Sequence, residues 1–279
     1  MNEPDVMVYL MTGFLDSGKT GFLKFTLKQD YFQIDGKTLL ILCEDGEDEY
    51  DAMEMLRYGV VIERLEDREE LTEEYLAELD RKHEPDRVVI EYNGMWKVSD
   101  FENMKLPKGW GIEQKITTVD ASTFQTYLTN LKPLFVEMVR GAEMVLFNRC
   151  EDIKPLAGYR RSVKVVSPQA EVIFEDEQGE VENIFEDDVP YDLDAPVIEI
   201  PREDYGIWYV DMMDNPDRYD GVTVRYKAVM CHSKKFKGVH CPGRFAMVCC
   251  ENDMQFLALV AKGEGLEKFK NRQWVEITA

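Results

Sequence analysis

The chain has 279 residues, a formal net charge of −22 and an apolar content of 44%. This length allows one large or two ordinary domains, and this apolar content is enough for a buried core. The acidic balance argues against a nucleic-acid or anionic-membrane surface, because such surfaces need clustered Lys and Arg. No apolar run has membrane-spanning length and no basic segment precedes the first one, so we expect a cytoplasmic protein with no nucleic-acid or membrane partner.

Residues 13–20 read Gly-Phe-Leu-Asp-Ser-Gly-Lys-Thr, the Gly-x-x-x-x-Gly-Lys-Thr pattern of a phosphate-binding loop. The apolar run 6–11 before this loop predicts a buried strand, and residues 22–27 after it predict a helix. Loop amides and a helix N-terminus then bind phosphate. The alternative is a chance match in a glycine-containing turn. The residues predicted to bind nucleotide here are Gly13, Asp16, Ser17, Gly18, Lys19 and Thr20.

Two side chains of this loop have predicted chemical roles. Lys19 is expected to contact the β- and γ-phosphates and to stabilise charge that develops during hydrolysis, and the Thr20 hydroxyl is expected to bind Mg²⁺. A nucleotide is therefore the predicted ligand, with Mg²⁺ as its cofactor.

Further buried strands are predicted at 37–43, 87–91, 116–120 and 144–148, with a sixth at 171–174. Helical patterns alternate with them, which predicts an α/β fold with a doubly wound, mostly parallel sheet. Ligands bind at the carboxyl ends of such strands, where the remaining candidate residues fall.

Carboxylates follow two of these strands. Glu91 ends a strand and is predicted to hold Mg²⁺, while the backbone N–H of Gly94 is predicted to contact the γ-phosphate. The alternative for both is a strand-terminal Glu followed by an Asn-Gly turn. Glu44 and Glu47 lie in an acidic loop and are candidates for polarising the attacking water, and a solvated loop is the alternative for them.

Asn148 and Glu151 follow the fifth predicted strand. Asn148 is expected to contact the edge of a purine base and Glu151 to accept from the N–H groups of guanine. Both residue types are also common at strand exits.

Short strands separated by turn residues predict a second, all-β domain, barrel or sandwich-like, at 193–279, after a P-loop domain at 1–192. It contains six possible ligands for zinc, since thiols and imidazoles suit that metal. They are Cys231, His232, His240, Cys241, Cys249 and Cys250. Neighbouring residues on a strand point to opposite faces, so each pair is expected to supply one ligand. The alternative is that these are ordinary core and loop residues.

The first part of the chain resembles the CobW-type P-loop GTPases, relatives of the GTPases that insert nickel into urease and hydrogenase. The resemblance rests on the loop at 13–20, on Glu44, Gly46, Glu47 and Asp51, and on the Glu-x-x-Gly at 91–94. Residues 148–151 are similar to the Asn-Lys-x-Asp base reader of that family, with Glu151 in place of Asp. The resemblance implies GTP as the preferred nucleotide.

One motif of that family is missing. Its Cys-x-Cys-Cys metal motif would fall near residues 59–62, which contain no Cys, so its metal-delivery role is not implied for this domain. The C-terminal stretch resembles the C-terminal domain of YcgQ-type proteins in motifs such as Pro-Gly-Arg-Phe at 242–245 and Cys-Cys at 249–250.

These patterns predict a Mg²⁺-dependent GTP-binding protein that hydrolyses GTP slowly, coupled to metal or cofactor handling and to a client protein. The alternative function is a non-hydrolysing nucleotide-sensing scaffold whose β-domain binds a partner protein.

Overall fold

The computed structural model describes residues 4–46, 49–153, 156–181, 189–233, 236, 238–247 and 254–279. The chain divides into two compact units, one of residues 1–156 with 167–182 and one of residues 157–166 with 183–279. The predicted boundary between residues 192 and 193 lies within the second of these units and stays a prediction.

The first unit contains one sheet with helices along its crossovers. Its strands are β1 Val6–Thr12, β2 Thr38–Leu42, β3 Val60–Arg64, β4 Arg87–Glu91, β5 Trp110–Asp120, β6 Met144–Asn148, β7 Glu171–Asp176 and β8 Gly179–Glu180. Its helices are α1 Lys19–Thr26, α2 Ala52–Arg57, α3 Glu73–His83, α4 Val98–Glu102, α5 Phe124–Asn130 and α6 Lys132–Val139. A seventh helix, α7 Leu156–Lys164, follows β6 and falls almost wholly in the second unit.

The sheet has eight strands in the order β3-β2-β4-β1-β5-β6-β7-β8. Every described pair in it is parallel except β7 with β8. The predicted doubly wound, mostly parallel sheet is therefore confirmed. Because β1 lies between β4 and β5, the loop that follows β1 lies in the middle of the carboxyl edge.

Burial explains which strands were predictable. Every residue of β2 and β4 is buried, which gives the continuous apolar runs typical of parallel strands covered on both faces. The edge strand β3 is only partly buried and was not predicted. Strand β5 begins at Trp110, six residues before its predicted start, because its first half carries polar residues.

The second unit is built on a five-stranded sheet of mixed direction. Its strands are β9 Ile198–Ile200, β10 Val224–His232, β11 His240–Met247, β12 Met254–Ala258 and β13 Trp274–Thr278. Their order is β12-β11-β10-β13, and β9 pairs in parallel with β10.

One helix, α8 Tyr205–Asp214, supplies aromatic residues to the core of this sheet. The rings of Trp208 and Tyr226 lie 4.7 Å apart between centroids. The β-rich character of this part is thus as predicted, and the structure refines the barrel or sandwich to one sheet with a helix packed on it. None of the described helices is long and apolar enough to cross a membrane.

Candidate functional site

The loop between β1 and α1 is fixed to its neighbours by side-chain hydrogen bonds. Ser17 Oγ lies 2.9 Å from Thr118 Oγ1, and Asn148 Nδ2 donates to the carbonyl oxygen of Ser17 over 2.8 Å. Gly18 precedes α1 with a φ of 94°, and a Cβ there would lie 2.4 Å from Asn148 Nδ2. Glycine is needed at this position both for its left-handed backbone and for the close approach of Asn148.

Lys19 is the buried cation of this loop, with 3% of its surface exposed. Its Nζ donates to the carbonyl oxygens of Gly13 and Phe14, each over 2.9 Å, and forms an ion pair with the carboxylate of Glu44. The ammonium group is thereby held over the loop at the start of α1, where phosphate binds in P-loop proteins.

Thr20 and Glu91, the two residues that the sequence predicts to bind Mg²⁺, are in direct contact. Thr20 Oγ1 donates to Oε1 of Glu91 over 2.6 Å, and the hydroxyl of Tyr50 donates to Oε2 over 2.5 Å. Hydroxyl and carboxylate oxygens are the hard ligands that Mg²⁺ prefers, so these residues fit that ion. Burial raises the pKa of Glu91, and this outweighs the hydrogen bonds from Thr20 and Tyr50 and the charge of Lys19, which act to lower it.

Glu44 and Gly94 contact the P-loop beside Lys19, Thr20 and Glu91. These five residues form one cluster. Oε2 of Glu44 accepts the backbone N–H of Gly94 over 3.2 Å. Gly94 lies directly against the P-loop, because a Cβ there would be 2.4 Å from the carbonyl oxygen of Gly13. Glu47, the other candidate base, lies outside the described residues.

Open space lies beside the cluster. A cavity of about 140 Å³ is lined by Leu15, Asp16, Gly18, Lys19, Thr20, Glu44, Gly46, Glu91 and Arg149. A second, of about 400 Å³, is lined by Thr20, Leu42, Glu44, Asp45, Gly46, Glu49, Tyr50, Arg64 and Glu91. The P-loop residues and both described carboxylates therefore face space in which a phosphate chain and a metal ion can bind.

The two predicted base-reading residues have different surroundings. Asn148 uses Nδ2 to hold Ser17, and its Oδ1 is buried with no hydrogen-bond partner among the described residues. Glu151 is exposed, and its Oε1 accepts the backbone N–H of Glu177 over 2.8 Å. One carboxylate oxygen of Glu151 is thus engaged by the protein, and recognition of guanine by this pair stays a prediction.

Sequence reasoning missed two residues that brace the loop. Nη1 of Arg149 donates to the carbonyl oxygen of Asp16 over 2.8 Å and to Asp120 Oδ2 over 2.5 Å. Burial acts to raise the pKa of Asp120, but hydrogen bonds from Ser122 and Arg149 outweigh it and lower that pKa. A signal existed, because Asp120 and Asn148 end neighbouring predicted strands and Arg149 follows directly.

Tyr50 was missed as well. It lies between an acidic loop and α2, with 8% of its surface exposed. Its contact with Glu91 spans 41 positions along the chain, so no local pattern could have indicated it.

The model of the CobW/HypB/UreG nucleotide-binding domain matches residues 7–174. The chain belongs to the CobW/HypB/UreG family. The model of the DUF1980 C-terminal domain matches residues 177–279, which contain the second sheet. The P-loop and the Glu-x-x-Gly at 91–94 both fall inside the CobW/HypB/UreG match, so its first unit is a GTPase-like nucleotide-binding domain.

Several solved structures are similar in fold. The Zn(II)-bound YjiA GTPase from E. coli is 18% identical with a TM-score of 0.49, and the alignment covers 100% of this chain and 93% of that one. The hydrogenase maturation factor HypB from Archaeoglobus fulgidus is 19% identical with a TM-score of 0.44, covering 62% and 83%. HypB from Helicobacter pylori in complex with nickel is 13% identical with a TM-score of 0.41, covering 62% and 80%. No curated protein matches the chain.

The candidate zinc ligands of this CobW/HypB/UreG family member are partly described. Strands β10 and β11 pair Cys231 with Cys241 and His232 with His240. Alternation along a strand puts the two thiols on one face and the two imidazoles on the other. The Nδ1 atoms of the two imidazoles are 2.8 Å apart.

His232 Nε2 also lies 2.8 Å from the carbonyl oxygen of Phe269, which requires a proton on that nitrogen. When His232 is neutral, its Nδ1 accepts and the Nδ1 of His240 donates. In the described part of the chain, no group of three or more His, Cys, Asp or Glu is arranged to hold a metal. Cys249 and Cys250 lie outside that part, so a zinc site that includes them stays a prediction.

Proposed function

We propose that the first unit binds Mg²⁺-GTP and hydrolyses it slowly. The observation that carries this proposal is the convergence of Lys19, Thr20 and Glu91 at the carboxyl edge of the sheet, where Thr20 Oγ1 and Glu91 Oε1 are 2.6 Å apart. Residues from β4 and from the P-loop helix meet there, which is the arrangement that phosphoryl transfer needs.

In this account the P-loop amides and Lys19 bind the phosphates and stabilise the charge that develops on them. Thr20 and Glu91 would hold Mg²⁺, which neutralises phosphate charge when bound. Asn148 and Glu151 would select guanine. Turnover is expected to be slow because Arg149 is engaged by Asp120 and Asp16 rather than directed at the phosphates.

The proposal also includes metal or cofactor handling and a client protein. We expect hydrolysis to be coupled to metal or cofactor handling for a client protein, as the family assignment suggests. Strand β3 occupies the stretch near residues 59–62 and has no thiols. The thiols of Cys43 and Cys150 in the first unit are buried, so the candidate thiol ligands among the described residues are Cys231 and Cys241 of the second unit. A cytoplasmic location likewise stays a prediction.

The test is release of phosphate from GTP under single-turnover conditions, with Mg²⁺ and with a chelator. Wild-type protein should release phosphate only with Mg²⁺, and Thr20→Ala should abolish release because it removes the metal-binding hydroxyl. Thr129→Ala is the matched control, since this exposed threonine bonds only locally, to the Gln125 carbonyl in α5. Tight GTP binding with no release by the wild type would favour the nucleotide-sensing scaffold instead.

A further inference from the structure

The carboxylate of Glu44 lies between two groups that bind phosphate in P-loop proteins. Its Oε1 is ion-paired with Lys19 Nζ, and its Oε2 accepts the backbone N–H of Gly94 over 3.2 Å. Only 9% of the side chain is exposed. A carboxylate resembles a terminal phosphate group in being an anion with acceptor oxygens, so it satisfies the same donors.

We propose that Glu44 takes the position of the γ-phosphate and thereby sets the preference of this site between nucleoside diphosphates and triphosphates. This inference rests on the proposed function, since it presupposes nucleotide binding at the P-loop.

The two groups that donate to Glu44 identify the phosphate position that its carboxylate occupies. Lys19 contacts both the β- and the γ-phosphate in loops of this pattern, so its ion pair alone does not distinguish them. The N–H of Gly94 follows β4 and is the donor that the sequence predicts for the γ-phosphate, the end of the phosphate chain. Bridging both donors therefore places the Glu44 carboxylate where a third phosphate group would lie.

The position of Glu44 is fixed by the backbone around it. Cys43 donates its N–H to the carbonyl oxygen of Glu91 over 2.9 Å, and Asn93 Nδ2 donates to the carbonyl oxygen of Cys43 over 3.2 Å. These bonds join the ends of β2 and β4 directly before Glu44. Beyond it, Asp45 and Gly46 are exposed, so the carboxylate can withdraw toward solvent when another anion takes its donors.

The Glu44 carboxylate affects the binding of nucleoside diphosphates and triphosphates differently. A diphosphate can use the loop amides and the N-terminus of α1 without taking the N–H of Gly94 from Glu44. A triphosphate must displace the carboxylate from both donors, because two anions cannot share one partly buried site. Glu44 therefore weakens triphosphate binding selectively.

The experiment is equilibrium binding of GDP and of a non-hydrolysable GTP analogue, both with Mg²⁺, to the full chain. Glu44→Gln should raise the ratio of triphosphate to diphosphate affinity by about tenfold, since it removes one charge that competes for Lys19. Glu44→Asp keeps the charge but shortens the reach, and it should raise the ratio by less. Glu78→Gln is the matched control, because it removes an exposed carboxylate from α3, which lines neither cavity, and it should leave the ratio unchanged.

Each possible result of the binding experiment supports or overturns a specific claim. A ratio that is unchanged in Glu44→Gln would overturn the inference, and a reduced ratio would show instead that Glu44 supports the triphosphate-bound state. Thermal unfolding of each variant establishes that it is folded, and Glu44→Asp gives a second reading should Glu44→Gln fail to fold. Absence of binding of either nucleotide to the wild type would overturn the proposed function itself, which is a different outcome from an unchanged ratio.

Discussion

The hydroxyl of Tyr50 donates a hydrogen bond to Oε2 of Glu91 over 2.5 Å, and both side chains are buried. The other carboxylate oxygen accepts from Thr20 over 2.6 Å. One carboxylate at the end of β4 thus joins the acidic loop before α2 to the first turn of α1. The groups that would bind Mg²⁺ are held in place by hydrogen bonds from within the protein.

Replacing Tyr50 with Phe should lower the free energy of unfolding by about 1–2 kcal/mol, because a buried carboxylate loses a charge-assisted donor. Chemical denaturation of the chelator-treated protein measures this change. The cost should shrink in a Glu91→Gln background, where no charge remains to be stabilised. An equal cost in both backgrounds would show that the hydroxyl stabilises some other group.

Glu91 predicts a specific dependence of stability on pH. Burial raises its pKa in the folded protein above the ordinary value of 4.5. Its contribution to stability is therefore greatest below pH 4.5 and is lost as the pH rises through the folded pKa.

Glu91→Gln should accordingly stabilise the chelator-treated protein at pH 7 by on the order of 1 kcal/mol, and by less at pH 4. Denaturation curves at the two pH values make the comparison. A Gln variant that is less stable than the wild type at pH 7 would mean that the ionised carboxylate is favourable in the fold.

Replacing Gly94 and Gly21 with Ala should change the stability of the protein in opposite directions. A Cβ at Gly94 would lie 2.4 Å from the Gly13 carbonyl oxygen and 2.7 Å from Phe14 Cα, and backbone atoms cannot easily move aside. Gly94→Ala should destabilise the protein by about 1–3 kcal/mol. Gly21, inside α1, has no atom within 4 Å of its Cβ position, so Gly21→Ala should stabilise by about 0.5–1 kcal/mol. Thermal unfolding of both variants checks the pair, and a Gly94→Ala variant as stable as the wild type would refute the close approach of Gly94.

Much of the first unit follows from its sequence because two-sided burial and the P-loop spacing are local signals. Strand β4 carries the apolar run 88–90 directly before the Glu91 that ends it, and the 13–20 motif marks the turn from β1 to α1. The contact of Tyr50 with Glu91 joins distant segments and leaves no local pattern, whereas that of Arg149 with Asp120 could be inferred only from the adjacency of two predicted strands. The ion pair between Lys19 and Glu44 is of the same kind, because the position of Glu44 depends on the pairing of β2 with β4.

The base preference is tested at Glu151. Glu151→Gln should lower the affinity for GTP relative to ATP by about tenfold, because the carboxylate acceptor for the guanine N–H groups is lost. Asp152→Asn removes the neighbouring charge from the same turn, and should change neither affinity. Competition titrations give both ratios. Tighter binding of ATP than of GTP by the wild type would show that Asn148 and Glu151 do not read guanine.

The central claim is that Lys19 binds the phosphates of a nucleotide held at the P-loop, and calorimetric titration of Mg²⁺-GTP tests it most directly. The wild type should bind, and Lys19→Ala should weaken binding by about 100-fold or more, since it removes a buried charge aimed at the phosphates. Lys24→Ala is the matched control, because Lys24 lies in the same helix but donates to the Glu49 carbonyl oxygen, and this variant should bind nearly as the wild type does. Equal affinities of the wild type and folded Lys19→Ala would contradict the account.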